Sequence, residues 1–265
     1  KQVYRGLAGL MVIHDEQEQQ LELPSGEYDL PIVIQDRRFS ENNQLYYPQH
    51  GMHERMVGFL GDTILVNGQI NATIPVKTRA YRLRVFNGSN SRIYKLGWED
   101  GTPLVAIGTD GALLEKPESY PYIMLAPAER VELWVDFSGR EIGSELVLRS
   151  LPYHGATPQM GMGMGGEAMG MMMGGMAQGE PFSIAKFRIA EKISESPRLP
   201  QTLVKMKRLT ERDVSNPDRT IPIAISMAHM SWKLNGRSFE MEKVMDIEKI
   251  PVNTIQKIRI FHENH

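Results

Sequence analysis

Apolar residues recur along the chain in short alternating runs broken by Gly, Pro, Asn and Asp every dozen residues or so, a rhythm of about 8–12 residues that predicts β-strands. The clearest run sets Tyr81, Leu83 and Val85 on one face against Arg82 and Arg84 on the other, and stops at the turn signal Asn87-Gly88. A second sets Val131, Leu133, Val135 and Phe137 opposite Glu132 and Asp136, ending at Ser138-Gly139. Both predict strands with one buried face. Further strands are expected at 32–35, 64–66, 94–98, 104–108, 122–125, 146–151, 182–189, 221–226 and 255–261, with an apolar N-terminal strand at 7–13. Long stretches of 3.6-residue period are absent, and 16 prolines interrupt most windows that could hold a helix. The predicted fold is all-β, an antiparallel Greek-key sandwich.

The same pattern predicts the domain organisation. Residues 23–190 hold enough strands for a complete sandwich, with an insertion at 155–179 that has no strand pattern. Residues 191–219 are rich in Pro, Lys, Arg, Glu and Ser and are expected to form a linker. Residues 1–22 and 220–265 each carry too few strands to bury their own faces, so they are expected to be portions of neighbouring domains and the chain a piece of a longer protein.

Composition narrows the chemistry. A chain of 265 residues with 30 Lys+Arg against 32 Asp+Glu carries a net charge of -2 and offers no uniform field for nucleic acid or anionic lipid. No uncharged apolar run approaches the roughly 18 residues of a membrane span. Neither nucleic acid nor membrane is therefore expected as a partner. The absence of cysteine excludes disulfides, thiol catalysis, iron–sulfur clusters and any copper centre built on a thiolate.

Methionine is the opposite anomaly. Eight of the 17 fall in the insertion: Met160, Met162, Met164, Met169, Met171, Met172, Met173 and Met176. Thioethers at short spacing on a glycine-rich backbone are soft ligands suited to Cu(I), so these eight are candidate auxiliary Cu(I) ligands. The competing reading is a solvated spacer or an adaptable methionine contact surface. Gly161-Met-Gly-Met-Gly-Gly166 matches the letters of a dinucleotide-binding loop, but no helix follows to hold the phosphates.

The histidines, His14, His50, His53, His154, His229, His262 and His265, nowhere fall two residues apart, the spacing that would aim two imidazoles from one strand face. His50 and His53 read as loop residues, and His229, between Met227 and Met230, reads as core or loop. Asp110 and Glu115 flank a glycine turn. No nucleophile–base set or carboxylate pair stands out, so no catalytic or cofactor-binding residue is assigned. The acceptor patterns Asn71-Ala-Thr73 and Asn87-Gly-Ser89 are too short to carry a role.

Longer motifs carry a resemblance. Gln2-Val-Tyr-Arg-Gly-Leu-Ala-Gly9 resembles the end of the first cupredoxin domain of bacterial multicopper oxidases. Asp29-Leu-Pro-Ile-Val-Ile-Gln-Asp36, Gly61-Asp-Thr-Ile-Leu-Val-Asn-Gly68, Tyr81-Arg-Leu-Arg-Val-Phe-Asn-Gly88, Ile107-Gly-Thr-Asp-Gly111 and the run from Leu125 to Asp136 resemble the second domain in order. The methionine-rich stretch is similar to insertions of the cuprous-oxidase branch, and Trp232-Lys-Leu-Asn-Gly-Arg-Ser-Phe239 resembles the opening of the third domain. The resemblance implies a cupredoxin-like sandwich within a laccase-like oxidase that couples one-electron oxidation of phenolics or Cu(I) to reduction of O2 to water, exported to the periplasm or secreted. It also implies type 1 and trinuclear copper held by Cys and His in the first and third domains, which would be this chain's partners. None of those ligand positions falls within these residues, so the chain alone is expected to be inactive and to act as a middle structural domain. The competing implication is a copper-free scaffold of the same fold, as in cell division, or a periplasmic copper-sequestering protein.

Overall fold

The computed structural model describes residues 2–47, 58–154, 176–228 and 231–263. They fall into two compact units, Lys1–Lys205 and Met206–His265. In the first, the strands are β1 (Asp29–Arg37), β2 (Thr63–Val66), β3 (Gln69–Ile70), β4 (Thr73–Lys77), β5 (Ala80–Asn87), β6 (Tyr94–Trp98), β7 (Leu104–Thr109), β8 (Ala112–Tyr120), β9 (Ile123–Leu125), β10 (Arg130–Asp136), β11 (Glu145–Ser150) and β12 (Phe182–Glu191). They form two sheets, ordered β3-β2-β1-β5-β10-β7-β8 and β4-β12-β11-β6-β9. Pairing is antiparallel except for β1 with β5 and β12 with β4, so the sheets are mixed where wholly antiparallel ones were expected. In each parallel pair the intervening chain passes through the opposite sheet before returning, which separates the two strands in sequence.

The core lies between the sheets. Ile32, Ile34, Leu83, Val85, Leu96, Leu104, Leu133, Leu148 and Phe187 are almost wholly buried there. Side chains alternate across the pleat, so each strand sends every second residue inward. Tight turns connect the ladder: Asn67-Gly68 and Asp110-Gly111 both hold positive φ at the two central positions, which Asn, Asp and Gly tolerate best. Along the long edge strand β8, Glu115, Lys116, Pro117 and Glu118 disfavour pairing with another strand.

The expectation of a solvated outer face on β5 is corrected: Arg82 and Arg84 are buried. Arg82 donates from Nη1 to Glu18 Oε1 at 2.6 Å and from Nε to Glu132 Oε2 at 2.8 Å. Arg84 donates from Nε to Asp29 Oδ1 at 2.8 Å and from Nη1 to Glu132 Oε1 at 2.9 Å. Glu18 arrives on the single-turn helix α1 (Glu16–Gln19), started by Asp15, whose carboxylate accepts from Glu18 N at 2.7 Å. Burial alone would raise the Glu18 pKa, but the Arg82 hydrogen bond and charge outweigh it and hold the carboxyl below its ordinary value.

A second correction concerns 7–13, which forms no strand: Leu7, Met11 and Ile13 are exposed and no ladder partner meets them among the described residues. Alternation gives a strand only where another strand supplies the hydrogen bonds. The residues from 192 to 205 follow the first unit closely. Thr78 Oγ1 donates to Ile193 O at 3.1 Å, Ala80 N donates to Ser196 Oγ at 3.0 Å, and Leu203 joins Leu23, Ile107 and Trp134 in a small cluster outside the larger core.

The second unit has strands β13 (Ile221–Ala228), β14 (Ser231–Leu234) and β15 (Ile258–His262) in the order β14-β13-β15. Asn235-Gly236 turns β14 at positive φ, and Asn235 Oδ1 accepts from Ala224 N at 2.8 Å. Asn216 ties the approach to β13 to the start of β15 by donating to Lys257 O at 3.1 Å and accepting from Lys257 N at 2.7 Å.

Candidate functional site

Among the described residues, the most deeply buried ion pair lies beside the residues that flank the methionine-rich insertion. Asp36, near the end of β1, and Arg92, in the loop before β6, are each about 1% exposed at their side chains, with Arg92 Nε 2.9 Å from Asp36 Oδ2. The same carboxylate oxygen accepts from Gly61 N at 2.7 Å. Gly61 is needed there because a Cβ would come within 2.4 Å of Arg37 N. Arg92 spends its remaining donors on backbone: Nη2 donates to Gly61 O at 2.6 Å and Met176 O at 2.8 Å, and Nη1 to Ala177 O at 3.1 Å. A guanidinium fits this task because its planar fork serves several acceptors at fixed angles.

Neighbouring groups complete the frame. Ser89 Oγ accepts from Asp36 N at 3.0 Å and lies 2.7 Å from the Tyr94 hydroxyl. Burial, with the Asp36 charge beside it, drives the Tyr94 pKa far above its ordinary value, so this hydroxyl stays protonated. Asn87, fully buried, donates to Arg92 O at 2.8 Å and Leu125 O at 2.9 Å. On the other side of the insertion, Tyr153 donates from its hydroxyl to Ile93 O at 2.8 Å and from its backbone N to Gly179 O at 3.1 Å. Burial pushes the Tyr153 pKa up to about 12. Gly179 takes φ +88°, and a Cβ there would fall 2.1 Å from Tyr153 O.

This arrangement is built to fix position: its carboxylate is held in an ion pair and its tyrosines are kept protonated. Of the eight candidate Cu(I) ligands, Met176 is the one whose place is described: its carbonyl is taken by Arg92 and its side chain is partly exposed. Met160, Met162, Met164, Met169, Met171, Met172 and Met173 lie outside the described residues, as do His50, His53, His229 and His265. His14 lies in the N-terminal segment with Nδ1 3.2 Å from Glu18 Oε1, His154 is exposed after β11, and His262 is exposed on β15. Asp110 caps the β7–β8 turn, accepting from Arg130 N at 3.0 Å.

Sequence reasoning placed strands at β1 and β6 but had no means of pairing Asp36 with Arg92, which stand 56 residues apart. The Asn87-Gly-Ser89 pattern belongs to this frame: Asn87 and Ser89 are both buried hydrogen-bonding residues.

No family model matches the chain. Over 154 residues the chain is 40% identical to a laccase of Bacillus subtilis (strain 168), an alignment covering 55% of this chain and 30% of the laccase. Over 138 residues it is 42% identical to the cell division protein FtsP of Xenorhabdus nematophila, covering 51% of this chain and 28% of FtsP. In structure it matches the 2F4 variant of the McoA multicopper oxidase from the hyperthermophile Aquifex aeolicus with a TM-score of 0.73 and 32% identity, over 89% of this chain and 48% of that one. The chain thus spans under a third of the length of these curated relatives and about half of the solved oxidase.

Copper is the metal that the name of these oxidases implies, and the donor set here does not fit a thiolate-bound copper centre. There is no thiolate in the sequence, and among the described residues no group of three or more His, Cys, Asp or Glu could hold a metal ion. The chain is therefore an all-β, cupredoxin-like polypeptide, similar in both sequence and fold to bacterial laccases and multicopper oxidases.

Proposed function

We propose that this chain is the central structural portion of a laccase-like multicopper oxidase, whose remaining cupredoxin domains supply the copper ligands and whose reaction couples one-electron oxidation of a phenolic or of Cu(I) to reduction of O2 to water. The observation that carries the reading is the match in sequence to a laccase and in fold to a multicopper oxidase by a chain that has no cysteine. In this reading 23–190 is the middle domain, 1–22 and 220–265 belong to its neighbours, 191–219 connects two of them, and the chain by itself is inactive. Its task is to space the metal-bearing domains, and the buried Asp36–Arg92 pair holds the returning end of the methionine-rich insertion against β1 and the approach to β6. The insertion collects Cu(I) through its thioethers. The working compartment is the periplasm or the cell exterior.

The similarity to FtsP supports a second reading, a copper-free scaffold of the same fold. The experiment that separates them is oxygen uptake and copper content of the full-length protein that contains this chain. The oxidase reading predicts bound copper and O2 consumption with Cu(I) or a phenol as reductant. A copper-free protein with no uptake would establish the scaffold. Replacing Met160, Met162, Met164, Met169, Met171, Met172, Met173 and Met176 with Leu should lower Cu(I) affinity at least tenfold in a competition titration, and unchanged affinity would remove the insertion from the account.

A further inference from the structure

The two sheets of the first unit end differently. β8 closes one sheet and β9 the other, and these two edge strands, although consecutive in the chain, are not paired with each other. The sandwich is open between them, and a cavity of about 340 Å³ enters the gap. That volume is within the range of small-molecule sites, about 300–1,000 Å³. Its floor is core: Ala106, Leu125 and Val131 belong to the main cluster, and Leu114 and Ile123 pack against it. Its rim carries Tyr120, Tyr122 and Met124, each about two-fifths exposed.

The rim is unusual because large apolar groups are left in water around a concave surface. The Tyr122 ring already holds a cation, with Lys95 Nζ 4.2 Å from its centroid, and Tyr120 donates its hydroxyl to Glu118 Oε2 at 2.8 Å. Aromatic faces attract cations and stack on other rings, and a thioether packs well at a ring edge. The charges favour a cationic guest. Asp110 and Glu129 face one guanidinium, Arg130, in the lining. Arg130 is committed to Asp110 at 3.3 Å and to Ala128 O at 2.9 Å. Glu129 is exposed and accepts from Ala126 N through Oε2 at 2.6 Å. Outside the lining, Glu118 and Lys95 cancel.

We infer that the open end of the sandwich between β8 and β9 is a binding site for a single-ring arylalkylamine, its ring held by Tyr120, Tyr122 and Met124 and its side-chain ammonium by Glu129. This inference does not depend on the oxidase reading, because it invokes no metal and no turnover. The test is saturation-transfer NMR and calorimetric titration of the full 265-residue chain with tyramine, and with 4-hydroxyphenylacetate, which presents the same phenol with the opposite charge. Tyramine should bind saturably and at least fivefold more tightly than the acid. Tyr122→Ala should weaken tyramine at least tenfold, and Glu129→Gln should abolish the preference between the two. Both substituted residues lie at the surface end of the pocket, and circular dichroism of each variant should be unchanged. Equal binding of the two phenols, no saturable binding of tyramine, or tyramine affinity unaffected by Tyr122→Ala would overturn the assignment.

Discussion

Removing the Asp36 carboxylate tests the frame at its most sensitive point. In Asp36→Ala the Arg92 guanidinium stays buried without its counter-charge, and Gly61 N loses its acceptor in the same step. Breaking a buried ion pair from one side costs about 3–5 kcal/mol, because the surviving charge is left uncompensated in a medium that solvates it poorly. Globular domains have only about 5–15 kcal/mol of net stability, so the loss takes a large share of the total. For a unit of this size each kcal/mol moves the melting temperature by about 2–4 °C, which sets the expected fall at roughly 6–20 °C. Thermal unfolding followed by tryptophan fluorescence in a Trp232→Phe background reads the first unit, since Trp98 and Trp134 both lie in it. The double variant Asp36→Leu/Arg92→Met removes both charges and should recover most of the loss, because an apolar pair of similar size is often as stable as the ions it replaces. A fall of less than about 2 °C for Asp36→Ala, equivalent to under about 1 kcal/mol, would refute the claim that this pair organises the base of the insertion.

Other outcomes follow from the same packing. Gly179→Ala should destabilise the first unit by at least about 1–3 kcal/mol in urea titrations, since alanine resists the positive φ and its methyl would meet Tyr153 O. Asn87→Ala should cost about 1–3 kcal/mol by leaving the Arg92 and Leu125 carbonyls without their side-chain donor, and a host that glycosylates acceptor asparagines should leave Asn87 unmodified. Glu18 has a folded pKa below its unfolded value, so its contribution is present above the unfolded value and disappears as pH falls through the folded one. Glu18→Gln should therefore cost on the order of 1 kcal/mol at neutral pH and almost nothing at pH values below the carboxylate range, as read from unfolding curves across that interval.

What could be read from the sequence was local, and what could not was long-range. β6 was predicted at its observed bounds because Tyr94, Leu96 and Trp98 alternate with Lys95 and glycine and face a core. β4 escaped because Pro75 breaks the pattern of an otherwise ordinary strand, and β8 escaped because an edge strand is built from Lys, Glu and Pro that alternation does not register. The run 7–13 shows the reverse error, alternation without a ladder partner. The burial of Arg82 and Arg84 was invisible for a related reason: it is created by Glu18, Asp29 and Glu132, three carboxylates from distant parts of the chain. At the base of the insertion the motifs around Asp36, Gly61 and Asn87 were legible as a family pattern, yet their purpose became clear only when Arg92 was seen to join them.

The central claim is that this polypeptide shapes an oxidase without carrying its copper centres, and copper loading of the isolated 265-residue chain tests it most directly. After equilibration with Cu(II) and removal of loosely held metal, the account predicts no intense blue absorption and no oxygen consumption with a phenol or Cu(I), with any retained Cu(I) lost on replacing the insertion's methionines. Stoichiometric copper with a strong blue band, or turnover of oxygen by this chain alone, would contradict it.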